Sequence, residues 1–134
     1  MNSKKILVVD DDPDLRLSLN VRLKANDYEV IFAADGVSSI AETRKHMPNL
    51  IILDLGLPAG DGFTVLNWLK SNDSLSSIPV IVLSGRDRST NRDRVLKAGA
   101  QCFIQKPADT SHLLAAVRHA LGEKGPALVY DLVH

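Results

Sequence analysis

One cysteine among 134 residues excludes an internal disulfide, so Cys102 staples nothing and burial has to hold the chain together. Long apolar runs are also missing. Nothing approaches the roughly 18 residues that cross a bilayer, and no secretion signal is recognisable, so the expectation is a soluble, cytoplasmic protein with no membrane contact. Net charge is absent too, since sixteen Lys and Arg balance sixteen Asp and Glu. That balance removes the long-range electrostatic case for nucleic acid as a direct partner. No internal repeat, low-complexity segment, Walker loop or G-x-G-x-x-G turn occurs, which sets aside the commoner nucleotide-binding classes. The histidines, His46, His112, His119 and His134, show no ligand spacing and suggest neither a zinc site nor a phosphodonor.

What is present is a regular alternation. Short apolar runs recur at ILVV (6–9), YEVIFA (28–33), LIIL (50–53), PVIVL (79–83) and CFIQ (102–105). Most are apolar throughout, as strands buried on both faces of a parallel sheet are. Between them lie segments of helical spacing: Val37, Ile40 and Ala41; Phe63, Leu66 and Leu69; and Leu113 or Leu114 with Val117 and Leu121, each predicting an inward face. Leu15, Leu17, Leu19, Val21 and Leu23 alternate as a half-buried strand would, yet Asp12 before Pro13 reads as an N-cap followed by proline at the first helical position. Helix is therefore expected there, with Leu15, Leu19 and Leu23 on one face and Leu17 and Val21 beside it. Five alternations imply a single α/β domain, a mainly parallel sheet with right-handed crossovers, over residues 1–121. GEKGP reads as the exit from the last element, leaving 122–134, with ALVYDLVH, as a tail or the start of a linker.

The first strand runs directly into Asp10, Asp11 and Asp12. Two carboxylates at about 4 Å repel by about 4 kcal/mol at an effective dielectric of about 20. Taken alone, the cluster is either a solvated turn with a helix cap or a site. The other strands decide. Parallel strands end on one edge, where open α/β sheets bind ligands, and the residues following the runs are Asp10 and Asp11, Asp54, Ser84 and Lys106. Converging carboxylates suit a hard divalent cation such as Mg²⁺. A hydroxyl and an ammonium opposite it suit the oxygens of a phosphoryl group.

Over about residues 4–121 the chain resembles the receiver domain of two-component response regulators. The resemblance is carried by ILVVDDDPDLR, PNLIILDLGLPAGDGFTVL, IPVIVLSGRD and KAGAQCFIQKP, in that family's order and spacing. It implies a (βα)5 doubly wound, flavodoxin-like receiver fold with a five-stranded parallel sheet. It also implies that Asp54 is the phosphoacceptor, that Asp11 binds Mg²⁺ directly and Asp10 mainly through water, and that Asp54 and the Gly56 carbonyl complete the protein ligands. Lys106 and Ser84 would meet the phosphoryl oxygens. Ser84 and Phe103 would form the switch that alters the surface of the fourth helix, fifth strand and fifth helix, and the Lys106–Pro107 bond would be cis. The partners implied are a sensor histidine kinase or histidine phosphotransfer protein, with a phosphorylation-dependent dimer or a downstream effector. Such a domain is no turnover enzyme; it assists its own aspartyl phosphorylation and dephosphorylation.

Two departures stand out. GAQCF lacks the acidic pair that one transcription-factor branch uses across a receiver dimer, which puts that dimer in doubt. Gly56 and Arg86 occupy positions where the family tunes phosphate lifetime. Trp68 reads as a surface or packing residue. The competing readings are a pseudo-receiver that only binds, opposed by the complete set of acids and lysine, and a haloacid dehalogenase-type phosphatase, opposed by glycine where its second Asp belongs.

Overall fold

The computed structural model describes residues 3–58 and 61–123. In chain order the elements are β1 (Lys5–Val9), α1 (Pro13–Ala25), β2 (Glu29–Ala33), α2 (Gly36–His46), β3 (Leu50–Leu53), α3 (Gly62–Ser71), β4 (Val80–Ser84), α4 (Arg88–Lys97), β5 (Cys102–Gln105) and α5 (Thr110–Ala120). All five strands are parallel, ordered β2-β1-β3-β4-β5. Each expected strand and helix is present. The tail ALVYDLVH and His134 lie outside the described residues.

The apolar strands separate two cores. On one side Leu7, Val9, Ile51, Leu53, Val82 and Phe103 pack with Phe63, Leu66 and Leu69 of α3 and Val95 of α4. On the other, Ile6, Val8, Ile52, Ile81 and Ile104 meet Leu19 and Leu23 of α1 and Leu113, Ala116 and Val117 of α5. The alternation of strand side chains between the two clusters is the period of 2 that an extended chain imposes. Strands β3 and β4 are buried along their whole length and β1 from Ile6 onward, because helices cover both faces.

Two helix faces differ from expectation. In α1 the cap logic holds: Asp12 accepts hydrogen bonds from the backbone N–H groups of Asp14 and Leu15, and Leu19 and Leu23 are buried. Leu17 and Val21, however, point to solvent, 65% and 60% exposed. In α2 the apolar stripe points outward, with Val37 69% exposed, and the buried face is Gly36, Ser39 and Thr43. Ser39 Oγ donates to Gly36 O at 2.6 Å and Thr43 Oγ1 to Ser39 O at 2.7 Å. Hydroxyls satisfied within their own helix can be buried without an unpaired polar group, and their small size lets α2 lie close to the sheet.

Each of the five helices begins with an aspartate cap: Asp12, Asp35, Asp61, Asp87 and Asp109. Helices in this topology start at the carboxyl edge of the sheet, so the caps place a ring of carboxylates around that edge. The positive ends of the helix dipoles face them there.

Candidate functional site

Strand register lines up the carboxyl edge. Val9 pairs with Ala33 and with Leu53, Leu53 with Val82, and Ser84 with Gln105. The residue after β1 is therefore Asp10 and the residue after β3 is Asp54, on adjacent strands where the strand order reverses. That reversal is the crevice in which open α/β sheets bind their ligands.

Backbone contacts hold both carboxylates in place. Asp10 N donates to Ala33 O and Asp54 N to Val9 O, each at 3.0 Å. Asp10 is 2% exposed and Asp54 8%. The Asp10 carboxylate accepts from Asp12 N at 2.9 Å, and Asp54 Oδ1 accepts from Gly56 N at 3.3 Å. Ligand oxygens of Asp10, Asp11 and Asp54 lie within 4.8 Å of one another, with Asp11 exposed and the other two buried. The three aspartates at the start of the chain thus divide the work, Asp12 capping α1 while Asp10 and Asp11 face the cluster.

Lys106 enters from the end of β5. Its backbone N donates to Ser84 O at 2.8 Å, and the Lys106–Pro107 bond is cis. The ammonium donates to Asp10 Oδ2 at 2.7 Å and lies 3.7 Å from Asp54 Oδ2. One cation therefore serves two buried carboxylates, and the shorter contact goes to Asp10. Burial acts to lower the pKa of Lys106, but the hydrogen bond it donates to Asp10 and the charges of Asp10, Asp54 and Asp12 prevail and raise it. The pKa of Asp10 is raised as well, because burial disfavours its charged form and the bonds from Lys106 and Asp12 only partly offset that. Hard oxygen donors, closely grouped and short of positive charge, fit a divalent metal such as Mg²⁺.

Ser84 ends β4, is 1% exposed, and accepts from Arg86 N at 3.2 Å through Oγ. Phe103 is 1% exposed in the core beneath α3 and α4. It pairs with Val82 on β4, so Ser84 and Phe103 share one face of the sheet, two residues apart along the strands. Trp68 is half-buried on α3, with Arg44 5.2 Å from its ring.

Two features escaped the sequence reading. Arg86 Nη2 is 3.8 Å from Asp61 Oδ2, both side chains being nearly half exposed, so the β4–α4 loop meets the cap of α3. An aspartate one residue before a helix-opening glycine was the available signal for Asp61. Gly62 is the other. A Cβ there would lie 2.4 Å from Asp54 O and 2.6 Å from Leu55 Cα, so the first turn of α3 rests directly on the backbone that carries Asp54. At Gly56, by contrast, a Cβ would meet nothing within 4 Å, which leaves that approach to Asp54 open.

Comparison with known proteins gives one consistent result. Residues 6–118 match the family model described as response regulator receiver domain. The transcriptional regulatory protein KdpE of Mycobacterium tuberculosis is 37% identical over 116 residues, covering 87% of this chain and 50% of KdpE. The chain thus spans about half of that relative. A CheY-like response regulator receiver domain protein from Methanospirillum hungatei superposes with a TM-score of 0.82 at 30% identity, covering 90% of this chain and 95% of that one. The BeF3-activated receiver domain of Klebsiella pneumoniae RstA gives 0.80 at 28% identity, over 88% and 98%.

Proposed function

Because the chain belongs to the response regulator receiver domain family, we propose that it is a phosphoacceptor switch in which Asp54 takes a phosphoryl group. The observation that carries this reading is the Lys106 ammonium poised between two buried carboxylates, 2.7 Å from Asp10 and 3.7 Å from Asp54. In the transfer, an Asp54 carboxylate oxygen attacks the phosphorus of a phosphohistidine. The P–N bond breaks, the histidine leaves with the electron pair and is protonated, and an acyl phosphate forms on Asp54. Lys106 then serves the phosphoryl oxygens, and the Ser84 hydroxyl turns from Arg86 N to donate to one of them. Phe103, on the same sheet face, repacks with that movement, shifting a population between two arrangements of the α4, β5 and α5 surface.

Asp10, Asp11 and Asp54 are the residues that would hold Mg²⁺, with the Gly56 carbonyl joining them by resemblance to the family. When bound, the metal supplies charge neutralisation at the phosphoryl oxygens. The domain changes its own covalent state and turns over no external substrate. The open space at Gly56 gives water a route to the phosphoryl group, and the Arg86–Asp61 tie governs how far the neighbouring loop closes over it.

The donor is a sensor histidine kinase or a histidine phosphotransfer protein. In support, a groove of about 440 Å³ beside Lys106 is lined by Leu15, Ser18, Leu19, Pro107, Ala108 and Leu113, among others. A largely apolar groove suits the side of a partner helix. The cytoplasm is the compartment this reading implies, in keeping with a single, buried thiol at Cys102. Among the described residues no helix is long and apolar enough to cross a membrane.

Intact mass after incubation with acetyl phosphate, with and without Mg²⁺, tests the reading. A Mg²⁺-dependent gain of about 80 Da, the mass of one phosphoryl group on a carboxylate nucleophile, is expected for the natural protein and not for Asp54→Asn. Absence of the adduct together with failure to bind beryllofluoride would leave a binding module in its place, and turnover of many phosphoesters would leave a phosphatase.

A further inference from the structure

Helix α1 carries apolar surface that the fold does not use. The large apolar side chains exposed among the described residues are Leu17, Val21, Val37 and Met47. Val37 and Met47 lie at opposite ends of α2, whereas Leu17 and Val21 stand one turn apart on α1 and adjoin on one face. That face points away from the core, because Leu19 and Leu23 bury the opposite side. Asp14 precedes Leu17 by three residues and Lys24 follows Val21 by three. At those intervals the four side chains form one stripe along the helix. Asp14 and Lys24 are both exposed, and neither has an ion pair among the described residues. The stripe is symmetric about the level of Leu19: the two charges are each five positions from it and the two apolar residues each two.

We infer that α1 is a self-association surface, on which a second copy of this chain packs its own α1 antiparallel about a two-fold axis at the level of Leu19. A two-fold contact needs a patch that is complementary to itself, and this stripe is. Antiparallel pairing sets Leu17 against Val21 of the second copy, and Asp14 against Lys24 of the second copy at both ends. A parallel contact would put Asp14 on Asp14 and Lys24 on Lys24, and that like-charge cost selects the orientation. The charges stand about 15 Å apart along the helix and flank the apolar pair, as charged positions beside an apolar seam do in paired helices. A membrane surface fits worse, since two apolar side chains between an acid and a base offer little to bury in lipid. One helix pair covers less than the roughly 1,200 Å² of stable complexes, so the contact is weak and concentration-dependent. It stands on the α1 stripe and is independent of the phosphoacceptor reading. One consequence does rest on that reading: Ser18, exposed on the same helix, also lines the groove beside Lys106, so a copy seated on α1 competes with a phosphodonor for entry.

The test is sedimentation velocity of the chain from about 10 µM to about 1 mM, the range that a weak contact occupies. A monomer–dimer equilibrium is expected, lost on Leu17→Ser with Val21→Ser, which removes exposed apolar surface and no core. Asp14→Lys alone and Lys24→Asp alone should each weaken the dimer about tenfold, because each sets like charges together at both ends. The two exchanges combined should restore it, since swapped charges still meet their opposites in an antiparallel pair, and Val37→Ser on α2 should change nothing. A monomer across the whole range, a dimer unmoved by the α1 substitutions, or a double exchange no better than either single one would each overturn the inference. Acetyl phosphate labelling of the same samples keeps the two readings separate, since loss of the adduct bears on Asp54 and loss of the dimer on α1.

Discussion

The two ends of the same five strands treat buried polarity in opposite ways. At the amino edge, Glu123 receives Lys4 Nζ at 2.8 Å and the Tyr28 hydroxyl at 2.5 Å. Arg118 donates to Asn26 Oδ1 at 2.8 Å, and Lys5 N to Asn49 Oδ1 at 2.7 Å. Opposite charges adjoin, and donors meet acceptors. Burial acts to raise the pKa of Glu123, yet the bonds from Lys4 and Tyr28 outweigh it and the net shift is downward. At the carboxyl edge two buried carboxylates, Asp10 and Asp54, share the Lys106 ammonium, and burial leaves the pKa of Asp10 raised. One edge is satisfied by its own residues, and the other gathers more negative than positive charge, which is the arrangement on which the proposed metal and phosphoryl chemistry rests.

Gly62→Ala should break this division most severely, because it is a carboxyl-edge change that attacks the backbone. Forcing a methyl group against Asp54 O is expected to cost about 3 kcal/mol or more, at the upper end of overpacking, measured by denaturant unfolding. The amino edge should show itself in alkali. Tyr28 is raised from 10.0 to about 12, by burial first and then by the bond to Glu123. Between those values the unfolded chain has lost the phenolic proton and the folded chain has not, so stability falls as pH rises through the window. Tyr28→Phe should lose that slope, and at neutral pH should unfold about 1 kcal/mol more easily for the missing hydrogen bond.

The mildest change is the most discriminating. Asp10 keeps its proton to a higher pH when folded than the ordinary 3.8. Its ionised form therefore costs stability, and that cost grows as pH climbs from the unfolded value through the folded one. Asp10→Asn should raise the melting temperature at pH 7 in metal-free buffer, with the gain disappearing below about pH 3.8. A lowered melting temperature would mean that the Lys106 bond outweighs the burial of Asp10, and the contrast between the two edges would fail.

Much of this was legible beforehand, for reasons that differ by element. Strands β1, β3 and β4 are readable because coverage on both faces demands unbroken apolar runs. Helix α1 is readable only through Asp12 and Pro13, since its side-chain alternation argues for a strand. The face of α2 was misread because periodicity counts apolar residues, whereas Ser39 and Thr43 hide their hydroxyls on the helix backbone and can be buried in place of Val37. Strand ends disclosed Asp10, Asp11, Asp54, Ser84 and Lys106. No linear pattern discloses that Lys106 prefers Asp10, that Arg86 is tied to Asp61, or that Tyr28 finds Glu123 across 95 positions, because these depend on which loops the fold brings together.

The anchoring of Glu123 has one more consequence. It fixes the outgoing thread at the amino edge, a full strand from Asp54, and five residues of β1 measure about 17 Å at about 3.3 Å each. Glu123 thus stands at the pole opposite Asp10 and Asp54. On the phosphoacceptor reading, charge added at Asp54 would lie roughly two Debye lengths from it, each about 8 Å at physiological salt, so its influence there would pass through packed helices and not act directly.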